Sequence, residues 1–492
     1  MVGALAVVKP LPEVRVTELP QEDIKWCTVS LSDVLDTGKR LEASVFEVEG
    51  RHAREAVENC TWGTVPLGEP GNGLLEKAYY PGRFKRIYCS AECGVPFYLP
   101  SQMTDIRPKP DKYISALTKC DISDLKLKRG DLLLTRSGTI GNSTIVSQTL
   151  EDVVFSDDVI RVTPKNPIDL GYLYAFFRSE TGYKILQTNQ YGSVIRHIEP
   201  EHLYSICVPN PPEAIKKKIN DLIMQSYRLR DESNELLDTA TKMLVETLNL
   251  PPIKEFQIEQ FGDGYETNNY SVKLSETNKR LDGSYHVPIA KAITEHLRRN
   301  AKELLTVGDK RVSKDIILPG RFKRVYVEEG QGRVFFGGKQ LFELDPSNKK
   351  YLSLAHHGDR IKEQLELHEN MTLITCSGTI GKVTLVPRQW ERWAANQHII
   401  RVVPASDEIA GYLSVFLSSE YGYPLITRFT YGSVVDEINA THVSQIPFPI
   451  LADKPIQDKI NQLALKANSL RYEAYKLEQE ALRSMNDEVI FA

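Results

Sequence analysis

No stretch of this 492-residue chain approaches the roughly 20 consecutive apolar residues that a membrane helix requires. The apolar opening Val2 to Val8 has no basic leader and is too short for a secretory signal. An excess of positive charge is also missing. Lys and Arg number 61 against 65 Asp and Glu, a net charge of −4, so any polyanion must be held by local basic patches. Cysteine is scarce: Cys27, Cys60, Cys89, Cys93, Cys120, Cys207 and Cys376 are odd in number and scattered. That excludes a disulfide scaffold and points to a reducing, cytoplasmic setting without membrane association. Cys89 and Cys93 have a metal-like spacing, but no paired His or Cys stands at a usual zinc spacing near them, so no metal is expected. His356-His357 and the other histidines show no pattern of triad or metal chemistry. No nuclease-like carboxylate cluster is present. None of these patterns points to catalysis or to a bound cofactor.

What the chain has is repetition. Ser137-Gly138-Thr139-Ile140-Gly141 recurs as Ser377-Gly378-Thr379-Ile380-Gly381, 240 residues on. Pro81-Gly82-Arg83-Phe84-Lys85-Arg86 recurs as Pro319-Gly320-Arg321-Phe322-Lys323-Arg324, 238 residues on. Tyr191-Gly192-Ser193-Val194 recurs as Tyr431-Gly432-Ser433-Val434, and Arg40-Leu41 with Ser44 as Arg280-Leu281 with Ser284. A period this long is a duplicated domain; solenoid units run to about 20–50 residues. Each copy is large enough to bury its own core.

The order of elements is the same in both copies. Divergent segments, 45–80 and 285–318, precede the basic blocks. Leu132 to Thr135 and Thr144 to Val146 read as strands joined by the first glycine block, a hairpin pattern. Val159 to Val162 and Ile399 to Val402 read as further strands closed by Pro164 and Pro404. Tyr172 to Leu186 and Tyr412 to Ile426 read as short amphipathic helices. After Pro211-Pro212, a seam of Ile215, Ile219, Leu222, Leu229 and Leu236 keeps coiled-coil spacing, weakened at Ser226 and Ser233. After Pro455, Ile456, Ile460, Leu463, Leu470 and Leu477 keep the same spacing, with Ala467, Ala474 and Ala481 suited to close antiparallel pairing. Helices of this length reach about 50 Å. They are expected to pack on each other and hold two globular units apart.

The expected division is therefore a leader (1–25), a first unit (26–210), a central helix (211–250), a linker (251–268), a second unit (269–450) and a C-terminal helix (451–492). The fold class is α+β, an internal pseudo-twofold repeat of two mixed units, each followed by a long helix of one antiparallel coiled coil.

The glycine blocks are not phosphate loops. A Walker A loop separates its glycines by four residues and follows the second with Lys; here two residues intervene, and Asn142 stands in the first copy where Lys382 stands in the second. They read as tight turns in which glycine permits positive φ. Asn210-Pro211-Pro212-Glu213 resembles an amino-methyltransferase motif without its final aromatic, and the second copy, Pro449 to Ala452, lacks it, so it reads as a turn before a helix. The basic blocks carry more. On an extended chain Arg83 and Lys85 share a face, as do Arg321 and Lys323, which suits phosphate contact.

Two units of like order, a Gly130 to Gly141 stretch, a late Gly192-Ser193, Ile198, Leu203, Ile206, Pro209 stretch repeated at Gly432-Ser433, Ile438, Val443, Ile446, Pro447, and a long helix after each resemble the specificity subunit of type I restriction-modification systems. The resemblance covers about residues 26–485. It departs at Glu213-Ala214, where a Glu-Gln pair is usual, and in the longer leader. The departures leave room for the recognition subunit of a related methylation-based defence system. The resemblance implies two target recognition domains that read the halves of a split duplex sequence. The helices would set their spacing and dock two methyltransferase subunits, which carry S-adenosylmethionine and methylate adenine; motor-nuclease subunits can join. Candidate DNA contacts are Arg83, Lys85, Arg86, Arg136, Ser137, Thr139, Tyr191 and Arg196 in the first copy, and Arg321, Lys323, Arg324, Ser377, Thr379, Lys382 and Tyr431 in the second. Base contacts are expected in 45–80, 109–129, 285–318 and 347–370, where the copies differ. The competing classes are a two-site nucleotide-using transferase, disfavoured by the glycine spacing, and a protein-only coiled-coil scaffold, disfavoured by the basic blocks.

Overall fold

A computed structural model describes residues 28–36, 46–68, 73–188, 197–256, 270–277, 279–346, 349–432 and 434–492. The first half forms helix α1 (Val48–Glu58), strands β1 (Thr64–Pro66), β2 (Leu75–Tyr79), β3 (Gly94–Phe97), β4 (Lys112–Ser115), β5 (Leu132–Thr135), β6 (Ser143–Ile145) and β7 (Val159–Pro164), helices α2 (Ile168–Arg178) and α3 (Glu180–Thr188), strand β8 (Cys207–Pro209) and the long helix α4 (Glu213–Thr247). The second half forms α5 (Pro288–Asn300), β9 (Glu303–Thr306), β10 (Ser313–Ile317), β11 (Tyr326–Val327), β12 (Gly332–Phe336), β13 (Lys350–Ser353), β14 (Thr372–Thr375), β15 (Val383–Leu385), β16 (Ala394–Ala395) and β17 (Ile399–Pro404). It closes with α6 (Asp407–Ser418), α7 (Gly422–Thr427), β18 (Pro447–Ile450) and the long helix α8 (Lys454–Ser484). The fold is mixed α+β.

Each half builds a four-stranded antiparallel sheet of the same order, β2-β7-β5-β6 and β10-β17-β14-β15. The glycine blocks close the β5–β6 and β14–β15 hairpins. Gly138, Gly141, Gly378 and Gly381 all have positive φ, between 73° and 98°, which glycine adopts without steric cost. The middle strands β7 and β17 each carry a buried arginine. Arg161 donates to the carbonyls of Asp124, Leu125 and Lys126, and Arg401 to those of Leu365, Ala395, Asn396 and Ile399. These arginines satisfy carbonyls at helix and strand ends that burial would otherwise orphan. Burial pushes Arg401 down to about 9.

The expected amphipathic helices over 172–186 and 412–426 are instead two helices each, with a corner between them. Ser179 Oγ donates to the Phe176 carbonyl and accepts from Gly182 N–H, and Ser419 does the same with Phe416 and Gly422. Helices α2 and α6 are not amphipathic. Residues 169–177 and 409–417 are buried throughout, between the sheet and the long helix.

The long helices lie against each other and run in opposite directions. Lys218 meets Glu488, Ser226 Oγ donates to the Ala474 carbonyl, Arg230 meets Glu478, and Arg471 donates to Ser233 Oγ. At 1.5 Å per residue their 35 and 31 residues span about 52 and 46 Å. Each belongs to two cores. Ile219, Ile223 and Tyr227 of α4 join the first-half core, whereas Ala240 and Leu244 join the second. Ile460 and Ala464 of α8 join the second core, and Ala481, Met485, Val489 and Ile490 return to the first.

The expected seam needs correcting. Ile219, Ile460 and Leu470 are buried, but Ile215, Leu222, Leu229, Leu236, Ile456, Leu463 and Leu477 are only half-buried. The buried stripe of α4 keeps Ile219, Ser226, Ser233 and Ala240 of the expected spacing and takes Ile223, Asn234 and Leu244 beside it. The periodicity marks the leucines, but α2 and α6 press on the helices from the side and rotate the stripe away from them. Between the two cores the stripe is polar. The units are also not merely held apart, because residues 102–109 and 340–345 cross the helices and touch: Ile106 N–H donates to the Phe342 carbonyl at 2.9 Å.

The leader and residues 257–268 of the expected linker lie outside the described residues. Of residues 251–256, Pro252, Lys254 and Glu255 are exposed, and the ends are held to the second unit. Phe256 is buried in the second core, and the Tyr421 hydroxyl donates to the Pro251 carbonyl.

Candidate nucleic-acid interface

The two basic blocks fold alike. In both, the chain is extended and alternates outward and inward. Arg83, Lys85, Arg321 and Lys323 are exposed, while Phe84, Arg86, Phe322 and Arg324 are half-buried. Phe84 meets Phe97 edge-on at 6.5 Å, and Phe322 meets Phe335 at 6.4 Å. The guanidinium of Arg86 lies over Phe97 and that of Arg324 over Phe335, each at 5.6 Å. Arg86 pairs with Asp157 at 2.5 Å; Arg324 bonds Gln397 at 2.8 Å, the same position in the repeat. Arg86 and Arg324 are therefore anchors that hold the block to its hairpin, not free phosphate contacts. Arg83, Lys85 and Lys323 remain the outward cations. Arg321 is outward too, with its side chain 80% exposed, and reaches Glu437 at 3.0 Å.

Arg136 is corrected more strongly. It is 4% exposed, ion-paired to Asp158 and Glu199, and stacked over Tyr80 at 4.3 Å. The repeat places Cys376 there, buried and without charge. Arg136 is an internal strut, because a short strand end beside two carboxylates draws the guanidinium inward. Ser137 donates to Asp158 and is likewise committed within the unit. Ser377 forms a bridge with Glu437. Thr139 and Thr379 are exposed at the hairpin tips.

Lys382 does not face outward with the basic block. Its ammonium approaches Asp111 of the first half at 3.7 Å and lies over Phe342. Tyr431 is exposed, its backbone paired with Glu437 and its ring edge-on to His442 at 5.4 Å. Tyr191 and Arg196 lie outside the described residues. The glycine turn and the late block come together in each unit. Ile198 N–H donates to the Arg136 carbonyl, Ile438 N–H to that of Cys376, and Gly378 N–H to that of Asp436. These turns join strand to strand, and a phosphate loop would instead feed a helix N-terminus.

Sequence reasoning missed other cations beside the blocks. A cleft of about 450 Å³ in the first unit is lined by Arg83, Lys119, Lys126 and Lys128, all four exposed. In the second unit, the short helix Leu354–Arg360 lies on the block. Arg360 covers Phe322 at 5.0 Å and donates to the Gly320 carbonyl, and His357 Nε2 accepts from Val325 N–H. That bond fixes Nε2 as the acceptor of a neutral ring. These residues fall within 109–129 and 347–370, so divergence between the copies was the available signal. Segments 45–80 and 285–318 form matching elements in both units, α1, β1, β2 and α5, β9, β10.

Among the described residues no group of three His, Cys, Asp or Glu is arranged to hold a metal ion, and no helix is long and apolar enough to cross a membrane.

Residues 90–238 match the family model described as "Type I restriction modification DNA specificity domain". That segment is under a third of the chain's length. No curated protein matches. Among solved structures, the S subunit of a type I restriction-modification system from M. genitalium is 10% identical, with 87% of this chain and 96% of that one covered and a TM-score of 0.34. A structure of the complex assembly and conformational transition of the type I R-M system is 14% identical, with 83% and 96% covered and a TM-score of 0.27. The HsdS subunit from Thermoanaerobacter tengcongensis is 13% identical, with 85% and 98% covered and a TM-score of 0.26.

Proposed function

We propose that this chain is a non-catalytic DNA specificity subunit of a type I restriction-modification complex, working in the cytoplasm and reading a bipartite duplex target. The observation that carries this reading is the recurrence of one basic, outward-facing block directly after the edge strand, β2 or β10, of two sheets of identical strand order. The match of residues 90–238 to the DNA specificity domain supports it. Target recognition domains would occupy 26–210 and 269–450. Helices 211–250 and 451–492 would form an antiparallel coiled coil relating them by a pseudo-twofold, with 1–25 as leader and 251–268 as linker.

Arg83, Lys85, Arg321 and Lys323 would neutralise phosphates and set register, since such contacts carry no sequence information. Thr139, Thr379 and Tyr431 would add contacts from the turns, and Tyr191 and Arg196 remain proposed DNA contacts. Base reading would fall to the divergent loops, Lys119 to Lys128 and the helix Leu354–Arg360 with its flanks. Two linked sites gain affinity through effective concentration. The methyltransferase subunits, two of them, would supply S-adenosylmethionine and the chemistry, and motor-nuclease subunits would join where the system restricts.

The test is selection from a random duplex library by the full chain, alone and with an adenine methyltransferase subunit, at low and moderate salt. Enrichment of a two-part motif with a constant gap is expected. No duplex preference in any condition would overturn the reading.

A further inference from the structure

Between the two cores, helices α2 and α4 converge on one carboxylate of α8. Glu478 of α8 is 1% exposed. It is met by Arg230 of α4 at 2.5 Å, by Arg178 at the end of α2 at 3.4 Å, and by the hydroxyl of Tyr174 at 2.8 Å. Arg178 also donates to the Asp345 carbonyl of the second unit, and the next residue, Gln479, donates to the Asp345 carboxylate at 3.1 Å. Thr104, Glu343 and Leu344 line the same crevice. Segment 340–345 thus crosses from the second unit onto the first. Segment 102–109 crosses the other way: Lys109 donates to the Ser418 carbonyl, Arg107 pairs with Asp238, and Asn234 donates to the Ile106 carbonyl.

The repeat relates these crossings but not their charges. Arg230 and Arg471 are 241 residues apart, as are Asn220 and Asn461. By that spacing the counterpart of Glu478 is Leu237, and 240 residues separate Arg178 from Ser418. Arg471 finds only Ser233 Oγ and Asn234 Oδ1, both at 3.3 Å, and burial with the nearby Arg107 pushes it down to about 10. Among the described residues such a buried carboxylate between two arginines occurs at this crossing and not at the other. Burial opposes ionisation of Glu478, but Arg230 and Arg178 outweigh it and hold the carboxyl below its usual range. A buried charge with several fixed partners tolerates one arrangement, because any displacement leaves it unpaired. An apolar contact at that place would slide at less cost.

We propose that Glu478 is a positioning residue: with Arg178 and Arg230 it locks the arm of the second unit and both long helices in one arrangement, and so sets the spacing and angle between the two basic faces. The consequence for DNA rests on the functional reading above; the locking itself does not.

The test places spin labels by non-canonical amino acids at the exposed Glu58 and Lys302, one in each unit, and measures their distance distribution in the full chain. A single narrow distance is expected for the native chain. Glu478→Gln should broaden it or add a second population while circular dichroism shows the chain folded. A charge-free variant, Glu478→Leu with Arg178→Met and Arg230→Met, should recover thermal stability and keep the broadened distribution, which a merely structural role would not produce. A native-like distance in either folded variant overturns the proposal. So does unfolding of both, which would make the cluster a stability element. No DNA is involved, so failure of the library selection would leave this result standing, and the converse.

Discussion

Asn461 Oδ1 accepts hydrogen bonds from the backbone N–H groups of Gly411, at 2.8 Å, and Tyr412, at 3.1 Å. The long helix thereby caps a turn of α6 that has no side chain to keep it away. Asn220 and Gly171 repeat the contact in the first unit at 3.0 Å. A Cβ on Gly411 would lie 2.4 Å from the Asn461 carbonyl oxygen. Backbone cannot swing aside as a side chain tip can, so Gly411→Ala is expected to destabilise by about 1–3 kcal/mol. Gly358→Ala, where a Cβ meets nothing within 4 Å, serves as the neutral control. Denaturant unfolding of the two variants checks this, and equal midpoints would refute the tight helix contact.

Arg136 and Arg83 separate structural from interfacial cations. Arg136→Met strips the partner from Glu199 and Asp158. It is expected to cost on the order of 2 kcal/mol of stability, seen as a lowered melting temperature. Arg83→Ala should leave the unfolding free energy within about 0.5 kcal/mol of native. A stable Arg136→Met chain with weakened duplex binding would reverse these roles.

Phosphate contact has a salt signature. Lys85→Ala and Lys323→Ala should each weaken duplex binding and reduce the slope of log affinity against log salt by about 1. The loss should be uniform across duplex sequences, because the blocks are common to both units. Binding titrations at several salt concentrations decide it; an unchanged slope removes the lysine from the interface.

Asp105 links stability to pH. Burial, opposed by Lys382, raises its carboxyl to about 7 from an ordinary value of 3.8. A carboxyl raised in the folded state takes up a proton on folding between these limits, so its contribution to stability falls as pH rises from about 4 to 7. Asp105→Asn is expected to raise stability at pH 8 by on the order of 1 kcal/mol, the partial exposure of the site screening the rest. At pH 4 it should bring no gain. Unfolding midpoints of both chains across that range would show the divergence, or its absence.

Much of this was legible because it is local. Gly138 and Gly141 mark their hairpin by spacing alone, and positive φ at glycine is a property of a few residues. The alternation of Arg83, Phe84, Lys85 and Arg86 set an outward and an inward face, since an extended chain turns by half a revolution per residue. The hidden part is long-range. Arg86 and Arg324 read as free cations until Asp157 and Gln397 arrive from 71 and 73 residues away. Lys382 reads as a phosphate contact from its neighbours in the chain, and its approach to Asp111 of the first half is a contact that only the fold makes.

The amino-acid sequence by itself determined that the chain is two versions of one unit, each followed by a long helix. Repetition, periodicity and turn chemistry are written in neighbouring residues. Only the tertiary structure decided that each helix serves both cores, that the stripe between them is polar, and that Glu478 rather than Leu237 carries the charge at the crossing. Those outcomes depend on which side chains exclude water together, and burial of a charge is a property of its surroundings and not of its position in the chain.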